Sequence, residues 1–214
     1  MLDATRLTEQ NRRLFNWLAR WYDLAVPIQI FFQPVYRQTI EVIRREAGLI
    51  LRRGGRIVDV ACGTGEVIVR LAREFPAAEF IGIDFAPAML QKAREKARAL
   101  TQARFIEAPA AAIPLPASSA DAVLCSDAFH HLAEPQAVIA EIHRVLKPGG
   151  LFLLVDPAFN SRLARWLGNL VKGFEHAYHY YSLTELKTLL TAPGFTITAG
   201  FRYRWNNYVL AKKS

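Results

Sequence analysis

Cysteine is scarce in this 214-residue chain: only Cys62 and Cys125 are present, too few for a disulfide-stapled scaffold and in keeping with a reducing compartment. No apolar run reaches the roughly 18 residues that a membrane-spanning helix needs. The opening stretch MLDATRLTEQNRR lacks the apolar centre of a secretory leader, so a cytoplasmic protein is expected. Internal repeats and low-complexity tracts are missing as well, which sets solenoids and disordered chains aside. No metal cluster is legible, the His and Asp residues near the candidate site lacking a convincing ligand spacing, and no metal is expected.

What is present is hydrophobic and basic. Apolar residues make up 52% of the chain and charged ones 21%, and the mean hydropathy is +0.10. That length and composition predict one sizeable domain with a substantial core, residues 56–214, behind an N-terminal helical extension, residues 1–55. The net charge of +8 fits nucleic acid, an anionic membrane surface, an acidic small molecule, or no partner at all.

The most informative stretch runs from Arg56 to Asp84. Ile57-Val58-Asp59-Val60 suits a buried parallel strand, and Ala61-Cys62-Gly63-Thr64-Gly65 is a small-residue turn. Val67, Ile68, Leu71, Ala72 and Phe75 then form one helical face, and Phe80-Ile81-Gly82-Ile83 reads as a second strand tipped by Asp84. Glycine lets backbone press close to a ligand, and a helix N-terminus turns free N–H groups into the same space. A carboxylate at Asp84 is placed to accept hydrogen bonds from a ribose diol.

The unit therefore predicts a nucleoside-containing cofactor. Ile68 stands where a dinucleotide site needs its third glycine, and Glu66-Val67 follows Gly65 where a P-loop needs Lys-Ser/Thr. Asp59 beside the turn would repel a phosphate but suits an ammonium group. S-adenosyl-L-methionine (SAM) carries both an ammonium and a ribose.

DVACGTG followed by GIDFAPAML resembles motif I and the acidic loop of class I SAM-dependent methyltransferases, close to the ubiquinone/menaquinone-biosynthesis type. The resemblance runs from Trp17 to the C-terminus, with Ala61 standing at the family's first glycine. It implies an α/β, Rossmann-like fold: a seven-stranded, mostly parallel sheet with a C-terminal antiparallel hairpin and helices on both faces. It also implies a cofactor site built from Asp59, Ala61, Cys62, Gly63, Gly65, Asp84, Phe85, Met89, Ala110 and Ser126. The family's acidic adenine contact falls at Pro109, so a backbone group near Ala110, or else Glu107, would serve instead.

On the acceptor side, Ser126-Asp127-Ala128-Phe129-His130-His131 follows the fourth predicted strand, Ala120–Cys125, where open α/β sheets bind ligands. It lacks the Asn/Asp-Pro-Pro-Tyr/Phe of base methyltransferases, which argues against nucleic acid. Asp127, His130 and His131 are the catalytic candidates there, with Tyr22, whose counterpart in the resembling family closes over the methionine end of SAM. His130-His131 stands where carbon-methylating quinone enzymes of that family carry Arg-Asn. The aromatic run Leu24–Tyr36, interrupted by Pro27 and Pro34, is open to reading as a substrate lid, a membrane-surface contact or core packing.

The segment from Phe159 to Tyr181 carries an apolar stripe, Leu163, Trp166, Leu167, Leu170, Val171 and Phe174, flanked by Arg162, Arg165 and Lys172. In the resembling family this insertion covers the acceptor, and its basic flank also suits an anionic membrane. The leading expectation is a methyltransferase for a hydrophobic or lipid-like small molecule, with a phospholipid head-group amine as the specific case. A quinone precursor is the alternative, and a SAM-binding regulatory or assembly protein without turnover is the reading from another class.

Overall fold

A computed structural model describes residues 4–20, 26–158, 177–191 and 194–214. Two helices come first, α1 (Ala4–Leu18) and α2 (Val26–Arg52). An alternating series follows: β1 (Arg56–Val60), α3 (Glu66–Glu74), β2 (Glu79–Asp84), α4 (Pro87–Ala97), β3 (Ala103–Glu107), β4 (Ala120–Ser126), α5 (Pro135–Val145) and β5 (Leu146–Pro157). A 3-10 turn, Phe129–His131, lies between β4 and α5. The chain ends with α6 (Leu183–Thr191), β6 (Phe195–Tyr203) and β7 (Asn206–Lys213).

The seven strands form one sheet in the order β3-β2-β1-β4-β5-β7-β6. β1 to β5 pair in parallel, and β7 runs antiparallel to both β5 and β6. The Rossmann-like sheet with its terminal hairpin is therefore present. Successive strand residues face opposite layers, as a two-residue side-chain period requires. Ile57 and Phe80 pack with α2, α3 and α4, whereas Val58 and Ile81 pack with α5 and α6. β1 and β4 are buried on both faces for this reason, and the two cysteines are free thiols, Cys125 fully buried.

α2 departs from its sequence pattern. The run expected to be interrupted at two prolines is a single helix of 27 residues. Pro27 falls in the first turn, where no N–H partner is needed, but Pro34 lies inside at a cost of about 3 kcal/mol. Val35, Ile43 and Leu51 on the same helix are fully buried, each contributing roughly 1.5–3 kcal/mol, so packing outweighs the lost bond. β5 is also longer than its apolar run suggests. It begins at Leu146 directly after α5 and absorbs Lys147–Gly150 as an irregularity between the Ala120–Leu146 and Ala122–Leu151 pairs. The capping box at α6 forms in both directions: Glu185 N donates to Ser182 Oγ (3.2 Å), and Ser182 N donates to the Glu185 carboxylate (2.7 Å).

Candidate functional site

The carboxyl ends of β1, β2 and β4 open into a cavity of about 670 Å³, roofed by α1 and bordered by Tyr36 of α2. Its β1 side is the small-residue turn. Gly63 has a φ of 53°, and a Cβ added there would meet nothing within 4 Å, so the backbone faces open space. Gly65 does a different job. Its φ is 71°, and an added Cβ would lie 2.8 Å from the Phe105 ring and 3.0 Å from Ala93. It is a packing glycine that seats the turn against β3 and α4, and it is not on the cavity wall. Lys96 of α4 braces the turn from outside, donating to Thr64 Oγ1 at 2.8 Å.

Asp84 ties the loops after β1 and β2 together. Its carboxylate accepts the Gly63 N–H and the Ala86 N–H, each at 2.8 Å. Burial pushes this carboxyl up to about 6, against the pull of those N–H groups. Asp59 is 3% exposed, and among the described residues no ion pair or hydrogen bond holds it. Burial, and then the charge of Asp84, push it well above the usual carboxylate range. Two buried carboxylates side by side, with no cation paired to either among the described residues, make a strong attractor for an ammonium group. Phe85 and Met89 add apolar wall, and Ala110 and Ser126 also line the cavity. Burial pushes the Cys62 and Cys125 thiols upward, so both stay neutral.

The β4 side of the cavity holds Asp127 and His131. Asp127 sits just past β4 with a φ of 52°, fixed by its own N–H bond to Val155 O at 2.9 Å. Its Oδ1 accepts from Asn206 Nδ2, and its Oδ2 accepts from Ser126 Oγ at 3.1 Å. Burial raises this carboxyl to about 7, opposed by the Asn206 bond and aided by the charge of Asp156. The His131 ring meets Phe15 of α1 edge-on at 5.0 Å.

His130 does not line the cavity. It is 4% exposed, with Nδ1 2.9 Å from Asp156 Oδ1, its ring stacked on Tyr180, and its carbonyl accepting the Tyr178 N–H. That makes it a strut between the site and the chain leading into α6. Tyr22 lies outside the described residues, as do positions 159–176 of the predicted cover, including Arg162, Arg165, Trp166 and Lys172. Three contributors have no local motif: Asn206 on β7, Asn11 of α1 on the cavity wall, and Asp156 at the end of β5. Buried polar residues inside otherwise apolar strands were the available signal, as in Asn206-Asn207 ahead of Tyr208–Ala211.

A parallel sheet closed by one reversed strand, with a glycine turn facing an acidic second-strand tip, is the arrangement of class I SAM-dependent methyltransferases. Comparisons with known proteins agree. A family described as "Methyltransferase domain" matches residues 57–150. The demethylmenaquinone methyltransferase of Thermus thermophilus is 36% identical in a match of 177 positions that covers 72% of this chain and 80% of that protein. The ubiquinone/menaquinone biosynthesis C-methyltransferase of Geobacter sulfurreducens is 31% identical over 91% of this chain and 85% of its own. A solved SAM-dependent methyltransferase from Thermotoga maritima shares the fold with a TM-score of 0.71 at 17% identity, covering 92% of this chain and 98% of that one. The chain belongs to the SAM-dependent methyltransferase family, and S-adenosyl-L-methionine is its cofactor. Among the described residues no helix is long and apolar enough to cross a membrane, and no group of three or more His, Cys, Asp or Glu could hold a metal ion.

Proposed function

We propose that this methyltransferase acts on a neutral, hydrophobic ring compound bearing an ionisable hydroxyl, of the hydroquinone type. The observation that carries the reading is the charge of the cavity. Its lining carboxylates are Glu9, Asp59, Glu66, Asp84, Glu107, Asp127 and Glu134, and Arg12 is the one Lys or Arg side chain among the described lining residues. The phosphate of a phospholipid head group entering there would meet carboxylates of its own sign. A neutral ring would meet Phe15, Tyr36, Leu132 and Val138, with Asp127 held near neutrality at about 7. The names of the two curated relatives point to quinone biosynthesis and lend no support to a phospholipid head group.

SAM, when bound, supplies an electrophilic methyl on a sulfonium. In this reading Asp59 pairs with its ammonium and Asp84 accepts from its ribose hydroxyls. Backbone of Ala61, Cys62 and Gly63 lies along it, and Phe85, Met89 and Ala110 flank its adenine. Asp127 takes the acceptor's hydroxyl proton, the electron pair stays on the acceptor oxygen, and delocalisation makes that oxygen or a ring carbon the nucleophile. α1, with Phe15 against His131, excludes water above the reacting atoms. Tyr22 and the basic, apolar stripe of residues 162–172 belong to this proposal on sequence grounds, as acceptor cover and as a contact with anionic lipid.

The test is release of S-adenosylhomocysteine from SAM with a reduced short-chain demethylmenaquinone analogue, run beside phosphatidylethanolamine vesicles. The hydroquinone is expected to support turnover, and Asp127→Asn to lower kcat by about 10²–10⁴-fold, the usual size of a base contribution. Turnover on the vesicles alone would restore the phospholipid reading. SAM binding without turnover on any hydroxylated ring compound would favour a regulatory protein.

A further inference from the structure

Asn206 is completely buried on β7, and its amide reaches across the sheet to the cavity floor. Asn206 is the first residue of β7, and its backbone is held from both sides, opposite Pro157 of β5 and Tyr203 of β6. Its neighbour Asn207 points to the other face and donates to the Tyr181 carbonyl at 3.0 Å. Asn206 Oδ1 is buried without a hydrogen-bond partner among the described residues. An amide kept in an apolar strand at that cost needs a compensating role, and its NH₂ group donates to Asp127.

We propose that Asn206 is a positioning residue of the methyl-transfer site: its side-chain amide fixes Oδ1 of Asp127 and leaves Oδ2, on the Ser126 side, for the acceptor. An amide is suited to this work because it donates a directed bond without adding charge. A lysine there would neutralise the carboxylate, and an aspartate would repel it. The strained φ of 52° at Asp127 has the same sense, since the backbone is held by Val155 while the side chain is held by Asn206. The inference rests on Asp127 being the acceptor-side base, but its physical core can be measured without any acceptor.

The titratable groups around Asp127 are Asp156 at the end of β5, whose charge adds to its rise, Cys125 on β4 and Tyr208 on β7, which Asp127 in turn pushes up, and His131 on the same cavity wall. None of these changes when Asn206 is replaced. The experiment is carboxyl-carbon NMR titration of full-length protein labelled at aspartate, with Asp127→Asn identifying the signal. In Asn206→Leu the Asp127 midpoint is expected to rise by about one pH unit, the scale of one lost hydrogen bond to a charged group. Asn206→Ser, whose hydroxyl is too short to reach, should behave alike and serves if the leucine variant fails to fold. A midpoint within a few tenths of wild type in either folded variant overturns the proposal, because a residue that merely packs would leave it unmoved. Activity then separates the two ideas. If the acid limb of kcat/KM moves with the NMR midpoint while the KM for SAM stays constant, both stand. If the midpoint moves but the limb does not, Asn206 holds Asp127 while Asp127 is not the base.

Discussion

Ala61 holds a backbone conformation that suits glycine, with a φ of 57° at the start of the cofactor turn. A methyl-bearing residue in that region costs about 1–2 kcal/mol, while replacing it by glycine loosens the unfolded chain by roughly 0.4–1 kcal/mol. Ala61→Gly should therefore stabilise the protein by about 0.5–1 kcal/mol in urea unfolding, and a loss of stability would show that the methyl packs usefully. Asp84 is more consequential because one carboxylate serves both the loop and, in the proposed site, the ribose. Asp84→Ala should weaken SAM binding by roughly 1.5–3 kcal/mol or more in calorimetry, the range for a hydrogen bond to a charged group. Unchanged affinity in a folded variant would remove Asp84 from the cofactor site, and a parallel titration with NAD should give no binding in either protein.

At the scale of elements, the turn between β1 and α3 decides how α4 and β3 sit, and Gly65 is where that is enforced. A Cβ at Gly65 would collide with the Phe105 ring and Ala93 in a backbone region that already disfavours it. Gly65→Ala should cost about 2–4 kcal/mol, since overpacking and left-handed strain add, and circular-dichroism melting would report it. The β1–α3–β2 unit was legible in sequence because each part has a local pattern: an apolar strand, small residues at the corner, a helical stripe and an acidic tip. Ser182 and Glu185 were legible for the same reason. Asn206 was not, because its partner Asp127 lies 79 residues away and only the sheet order brings them together. The role of His130 was hidden in the same way, since adjacency to His131 says nothing about Asp156 behind it. Pro34 misled in the opposite direction: a breaker was visible, but the burial that overrides it was not.

For the whole molecule, the cavity stores buried carboxyls that, in the proposed site, the cofactor would relieve. Asp84 moves from 3.8 to about 6 and Asp127 from 3.8 to about 7 on folding, and Asp59 and Asp156 move in the same direction. Each folded carboxyl holds its proton to higher pH than the unfolded one. Their contribution to stability is therefore fully present below about pH 4 and is lost as pH rises through 6 and 7. His143 works the other way, its folded form being shifted below 6.5, but it is one group against four. The surface glutamates held low by Arg44 and Arg144, Glu74 and Glu141, act only below 4.5, outside this window. Protein free of SAM should thus melt at higher temperature at pH 5.5 than at pH 8. In the proposed site a bound ammonium favours ionised Asp59 and the ribose hydroxyls favour ionised Asp84, so SAM affinity should strengthen as pH rises through about 6, with proton release on binding at pH 5.5. The thermal shift given by saturating SAM should accordingly be larger at pH 8 than at pH 5.5. Asp84→Asn should flatten part of both trends, and Asp127→Asn should flatten the stability trend while leaving the pH dependence of SAM affinity in place. Equal thermal shifts at the two pH values in the wild-type protein would mean that Asp59 does not meet the ammonium of SAM and Asp84 does not meet its ribose.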